Sequence, residues 1–282
     1  ITARAKDHAV PDGQAVPPGP CPGGVDFTAP DFAITFRRED DAAGSSHFYF
    51  TTDRGRRWQG PYTLPGFGFP GILARTDYVV EGPQTLLAVV TASKADRREG
   101  RPVCIRTRDG GATWSPVSAI GPEPEGYVIM PATVRLVSGD YLTVLRCREA
   151  GRCRLAAYLS ADRGASWRPW PDPVPDTGRG NPPALVRLAD DRLCLAYAVR
   201  GAPSRICARV GSPDGRQWSE EILLRDDDAN WDVGYPRMVQ RPDGTLVLVY
   251  YYNHAMSETP SWRTIEATLY RADGTAFGGT PA

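Results

Sequence analysis

Short apolar runs bounded by Gly, Pro and Asp recur along the whole 282-residue chain. Five of them stand at a nearly even spacing, at Asp31–Phe36, Thr85–Ala92, Tyr141–Leu145, Leu193–Val199 and Leu246–Tyr252. Each is followed by a polar loop and another run, at His47–Thr52, Pro102–Thr107, Arg154–Ser160, Ile206–Val210 and Thr264–Tyr270. Runs that are often opened by Pro precede four of the five, at Ile72–Val80, Ile129–Leu136, Pro183–Leu188 and Tyr235–Gln240. Short apolar segments between turn residues are predicted as strands, and here they form a repeating set of first, second and third strands.

The polar punctuation repeats as well. Ser160-Ala161-Asp162-Arg163-Gly164-Ala165-Ser166-Trp167 shares its hydroxyl, Asp, Gly and Trp positions with Thr51 to Trp58 and with Thr107 to Trp114, and Ser212 to Trp218 is the same pattern one residue shorter. Asp53, Asp109, Asp162 and Asp214 are separated by 56, 53 and 52 positions, and a long fixed period marks a repeat architecture. The Asp accepts hydrogen bonds from backbone N–H groups ahead of it, Gly provides positive φ, and the Trp buries apolar surface beside the turn. The motif is therefore a self-supporting hairpin turn after each third strand, with a fourth strand following the Trp.

The pattern Ser/Thr-x-Asp-x-Gly-x-x-Trp at this interval resembles the Asp-box of sialidases and other bacterial-neuraminidase-repeat proteins. That resemblance implies an all-β, sialidase-type β-propeller of four-stranded antiparallel blades. The period gives five repeats of about 56 residues, whereas sialidases have six blades, so the expected count is five or six. Residues 1–24, rich in Pro and Gly, are expected to be an opening segment that closes the ring on the last blade, and residues 25–282 a single propeller domain.

Composition removes several function classes. Lys plus Arg equals Asp plus Glu at 33 each, so no basic field exists to recruit nucleic acid. No stretch approaches the apolar length of a membrane-spanning helix. The first residue is Ile and no signal segment follows, which reads as a mature or trimmed form; a secreted or periplasmic location is favoured slightly over a cytoplasmic one. Six Cys match no zinc spacing, and Cys147/Cys153 and Cys194/Cys207 flank short loops, as buried thiols or as cross-strand pairs. No metal or organic cofactor is required, and no acidic loop supports a structural Ca²⁺.

In an antiparallel blade, the turns after third strands lie on one face of the disc. Ends of second strands and starts of first strands lie on the other. Those positions collect Arg37, Arg38, Glu39, Asp40, Asp41, Lys94, Arg146, Arg148, Glu149, Arg200, Asn253 and His254, with Arg75, Asp77, Tyr78, Tyr127, Asn181, Asp232, Tyr235 and Arg237. Converging guanidinium groups repel one another unless anions neutralise them, so an anionic ligand is expected in this funnel.

Sialidases hold a sugar carboxylate with three arginines and use a Tyr nucleophile assisted by Glu, with an Asp acid/base. The resemblance places Tyr235, in Asp232-Val233-Gly234-Tyr235-Pro236-Arg237, at the nucleophile. Asp77 is the preferred acid/base, although Arg75 beside it is expected to keep it ionised, and Asp40 or Asp41 is the other candidate. Asn181 stands where the family has its Glu, so Glu149 or Asp232 would have to be the base for Tyr235. Arg37, Arg146, Arg200 and Arg237 form the expected carboxylate clamp, with Arg75, Arg148, Asn181 and His254 completing the pocket.

The function implied is an exo-acting glycoside hydrolase that removes a terminal acidic sugar from a glycan, with a glycan or acidic sugar as its partner. Two alternatives stand. A Tyr/His pair including His254 suits a polysaccharide lyase acting on uronates, and the absent Glu suits a carbohydrate- or protein-binding propeller without turnover.

Overall fold

The computed structural model describes residues 16–38, 44–98, 100–227, 230–254 and 262–272, and within these not the side chains of residues 74, 75 and 262. Eighteen strands and no helix occur among the described residues, and every pair within a sheet is antiparallel. They form five sheets, the blades of a β-propeller.

Blade one holds β1 (Ala33–Arg38), β2 (Ser46–Thr51) and β3 (Gln59–Leu64). Blade two holds β4 (Ile72–Gly82), β5 (Thr85–Ala92), β6 (Arg101–Thr107) and β7 (Ser115–Ala119). Blade three holds β8 (Tyr127–Arg135), β9 (Tyr141–Glu149), β10 (Arg152–Ser160) and β11 (Arg168–Val174). Blade four holds β12 (Ala184–Arg187), β13 (Leu193–Val199), β14 (Arg205–Gly211) and β15 (Ile222–Arg225). Blade five holds β16 (Gly234–Gln240), β17 (Leu246–His254) and β18 (Trp262–Tyr270).

The second strands of blades two, three and four are apolar on both faces because each is sandwiched between two neighbouring blades. In β5, Leu86, Ala88 and Val90 pack with Ile34, Phe36 and Phe48 of blade one. The alternate residues Leu87 and Val89 pack with Val128, Tyr141 and Leu145 of blade three. The same alternation puts Cys207 of blade four in the core shared with blade three, and Cys194 in the core shared with blade five. The core is thus a series of inter-blade layers. All six cysteines are buried free thiols. Cys147 pairs with Arg154 and Cys153 with Arg148, so the two thiols point to opposite faces of their sheet. Burial pushes the Cys147 and Cys194 thiols up to about 11, which keeps them unreactive.

Each turn motif closes as its chemistry dictates. In blade three, Ser160 Oγ donates to Asp162 at 2.8 Å and accepts from Gly164 N–H at 2.7 Å, while Asp162 accepts from Ser166 N–H at 2.8 Å. Blade two repeats this with Thr107, Asp109, Gly111 and Thr113. The tryptophans are less uniform than expected. Trp114 is buried edge-on between Phe36 and Phe48, but Trp58, Trp167 and Trp218 are half-buried.

The described part of the opening segment crosses blades one and two. Gly19 bridges Tyr62 of β3, and Gly24 and Val25 donate to the carbonyls of Asp109 and Gly110. Residues 1–15, where a ring-closing strand is expected, lie outside the described residues. On blade five, one sheet face packs on blade four through Leu246, Leu248, Tyr250 and Tyr252. Its other face leaves Val239, Val249, Ile265 and Leu269 exposed.

Candidate functional site

The innermost strands of all five blades, with the segment leading into β12, surround a cavity of about 530 Å³. β1 contributes Ile34, Thr35 and Phe36; β4 contributes Thr76, Asp77 and Tyr78; β8 contributes Met130 to Ala132; Pro182, Ala184 and Leu185 lie on the fourth side; and β16 contributes Tyr235, Arg237 and Met238. Three of these strands are irregular at the cavity. Their registers shift between Leu73 and Asp77, between Ile129 and Pro131, and between Gly234 and Arg237. A bulge re-aims the side chains beside it, and the lining residues Met130 and Tyr235 take positive φ at 54° and 53°.

Among the described residues, Asp77 is the one carboxyl lining this cavity and Arg237 the one guanidinium. Burial pushes the Asp77 carboxyl above its ordinary value; the backbone N–H groups of Thr133 and Tyr78 and the charge of Arg237 oppose that shift without reversing it. Against the described neighbours desolvation wins, so Asp77 holds its proton more tightly than a free carboxyl, the reverse of the direction expected from Arg75. The side chain of Arg75 lies outside the described residues, as do Glu39, Asp40 and Asp41.

Tyr235 stands at the cavity wall, 41% exposed. Asn181 fixes its backbone: the fully buried amide donates to the Val233 carbonyl at 3.0 Å and accepts from Tyr235 N–H at 3.3 Å. Asn181 is thus a brace under the Tyr235 turn, not part of the cavity lining.

Behind Tyr235 lies a polar network. Arg200, buried at the end of β13, donates to the Val233 carbonyl at 2.8 Å, to Gly180 at 3.4 Å, to Asp232 at 3.3 Å and to the Tyr251 hydroxyl. Tyr251 donates to Asp232 at 2.6 Å, and Arg263 pairs with the other Asp232 oxygen. Burial and the Asp232 hydrogen bond raise the Tyr251 phenol well above its ordinary value. Burial alone would raise Asp232 too, but the Tyr251 hydrogen bond and the charges of Arg263 and Arg200 bring it below the usual carboxylate range. Asp232 therefore partners Tyr251, whose ring centroid lies 5.6 Å from that of Tyr235.

The remaining sequence candidates do not converge on the cavity. Arg146 lies over the Tyr127 ring at 5.3 Å with its Nε buried and without a partner. Arg37, half-buried, and Arg148, exposed, are not in the lining. Glu149 sits at the β9–β10 hairpin and pairs with Arg154 at 3.1 Å, which removes it as a base for Tyr235. His254 is taken by Glu266, which also pairs with Arg225. Lys94 is buried, donating to the carbonyls of Pro124 and Glu125 at 3.3 and 3.1 Å. The four-arginine clamp is not assembled, because Arg200 is already saturated by carbonyls and a carboxylate. Among the described residues no group of three His, Cys, Asp or Glu side chains is placed to hold a metal ion.

Sequence reasoning passed over Tyr251 and Trp231. The signal for Tyr251 was the run Tyr250-Tyr251-Tyr252 in a second strand: alternation sends the outer two into the blade-four core and the middle one to the opposite face.

The sequence matches the family model of a BNR repeat-like domain over residues 34–248. No protein of curated function matches it. Similar solved structures include a protein of unknown function from Dyadobacter fermentans, at 23% identity and TM-score 0.66, covering 79% of this chain and 63% of that one. An α-L-arabinanase of Penicillium chrysogenum complexed with arabinobiose is 17% identical with TM-score 0.56, over 72% of this chain and 64% of that one. The NanB sialidase of Streptococcus pneumoniae is 15% identical with TM-score 0.55, over 73% of this chain and 32% of that one. The chain spans less than two thirds of the length of each of these three, and likeness at such identity shows the fold.

Proposed function

Because this chain belongs to the BNR repeat-like family, we propose that it is a glycoside hydrolase that removes the terminal sugar of a glycan in the central cavity. One observation carries the reading: a carboxyl whose proton affinity is raised by burial, Asp77, faces a cavity it shares with an exposed phenol, Tyr235, and a guanidinium, Arg237. A carboxylic acid with a raised pKa is suited to general acid catalysis. Asp77 gives its proton to the glycosidic oxygen as the bond from that oxygen to the anomeric carbon breaks. Tyr235 attacks the anomeric carbon, its proton passing to the Tyr251 oxygen as Tyr251 releases its own to Asp232. Asp232, with its lowered pKa, is a weak base, so this transfer accompanies attack rather than preceding it. Water then attacks the anomeric carbon, its proton passing to the carboxylate of Asp77, while the bond to the Tyr235 oxygen breaks and that oxygen recovers its proton from Asp232 through Tyr251.

Arg237 supports the acidic-sugar form of the proposal, as one guanidinium for one anionic substituent. The fold is shared with an arabinanase as well as a sialidase, so aryl glycosides of L-arabinofuranose belong in the test beside those of sialic and uronic acids. Release of the aryl group by the wild type, reduced about a thousandfold in Asp77→Asn, is the expected result. Full activity in Asp77→Asn removes the acid assignment. Ligand binding with no turnover of any glycoside moves the protein to the non-catalytic binding class. The lyase reading has less support, because Glu266 engages His254 away from the cavity.

A further inference from the structure

Beside the cavity mouth, between blades four and five, lies Trp231, an aromatic surface that the proposed chemistry does not use. Trp231 is 40% exposed and Tyr235 41%, and both rings flank the buried Arg200, whose Cζ lies 5.7 and 5.5 Å from their centroids. The Arg179 guanidinium is stacked 4.6 Å over the Trp231 ring. Among the described residues no carboxylate is paired with Arg179.

The platform is rigid. Arg179 N–H donates to the Arg200 carbonyl at 2.9 Å, and Arg200 N–H donates to Thr177 at 3.0 Å, so the 177–180 loop is clipped to the end of β13. Trp231 follows Asn230, whose carbonyl accepts from Ser204 at 3.2 Å and whose side chain accepts from Asp232 N–H and Asn253 at 2.9 Å each. Single exposed apolar residues are common and mean little, but an exposed indole with a braced backbone, sharing the buried Arg200 with a cavity-wall tyrosine, is preorganised to receive a ligand. The apolar C–H face of a sugar ring fits the exposed part of an aromatic surface, and Arg179, stacked over that indole, offers N–H donors to sugar oxygens.

We propose that Trp231 and Arg179 form a second sugar subsite, which holds the residue next to the terminal sugar seated in the cavity. The platform selects glycans of two or more sugars over single sugars. It rests on the glycan reading above.

Calorimetric titration tests it in the Asp77→Asn background, in which turnover is slowed about a thousandfold, with arabinose against arabinobiose and sialic acid against sialyllactose. The longer member of the recognised pair is expected to bind about tenfold more tightly than the single sugar. Trp231→Ala abolishes that difference and leaves the single-sugar Kd unchanged, and Trp231→Phe keeps most of it. A difference that persists in Trp231→Ala overturns the platform and leaves the glycan reading intact. Failure of every sugar to bind Asp77→Asn overturns the glycan reading and the platform together.

Discussion

Asp77 acts on stability as well as chemistry, because burial sets its proton affinity in the folded chain alone. Between its ordinary value of 3.8 and its raised folded value, the native state keeps a proton that the unfolded chain has released, so stability falls as pH rises through that window. Asp77→Asn removes the dependence: its melting temperature relative to wild type should be higher near pH 7 than at about pH 3.5, and a constant difference would show that Asp77 is not desolvated. Asn181 is a second residue whose identity follows from its surroundings. It must donate to Val233 and accept from Tyr235, which an ionised Glu cannot do. Gly234 is required next to it, since a Cβ there would lie 2.1 Å from the Asn181 amide nitrogen. Asn181→Ala is expected to cost about 1–3 kcal/mol in denaturant unfolding, and no loss would contradict the bracing role. The sequence shows that Asn181 replaces an expected Glu, but the reason lies in a contact with a strand some fifty positions away.

At the scale of the element, the turns were the most legible feature, because their hydrogen bonds run between residues two to four positions apart. The Asp162 carboxyl is lowered to about 2 by the Ser166 and Ser160 hydrogen bonds, and its stabilising effect is present above 3.8 and lost as pH falls through about 2. Asp162→Ala should lower stability by about 1 kcal/mol, the size of a capping-residue deletion, with most of that difference gone below about pH 2. Trp burial was not legible from the motif, since it depends on what the neighbouring blade presents. Trp114→Ala, within the blade-one and blade-two aromatic cluster, should cost about 3–5 kcal/mol, and half-buried Trp167→Ala clearly less. Equal losses in the two variants would contradict the packing described for them.

For the whole molecule, the period announced a propeller, and doubly apolar second strands follow from blades stacked on both sides. The joints between blades are also fixed by buried polar pairs. Glu81 at the end of β4, its side chain 1% exposed, accepts from Arg106 at 2.8 and 3.1 Å and from Tyr141 of blade three at 2.7 Å. Glu81→Ala leaves Arg106 without its partner and should cost about 3–5 kcal/mol; a thermal melt unchanged from wild type would show the joint to be dispensable. The funnel was less legible than the fold. Which strand-end residues reach the cavity depends on bulges in β4, β8 and β16 that no periodicity announces, so Asp77, Tyr235 and Arg237 line it while Glu149 and His254 are held elsewhere. The central claim is that this cavity seats a terminal sugar against Asp77, and the measurement that tests it most directly is a crystal of Asp77→Asn soaked with sialyllactose and, separately, arabinobiose. The account predicts the terminal sugar of one of them in the cavity, with its glycosidic oxygen at residue 77 and its anomeric carbon toward Tyr235. An empty cavity with sugar bound at another face of the disc would contradict it.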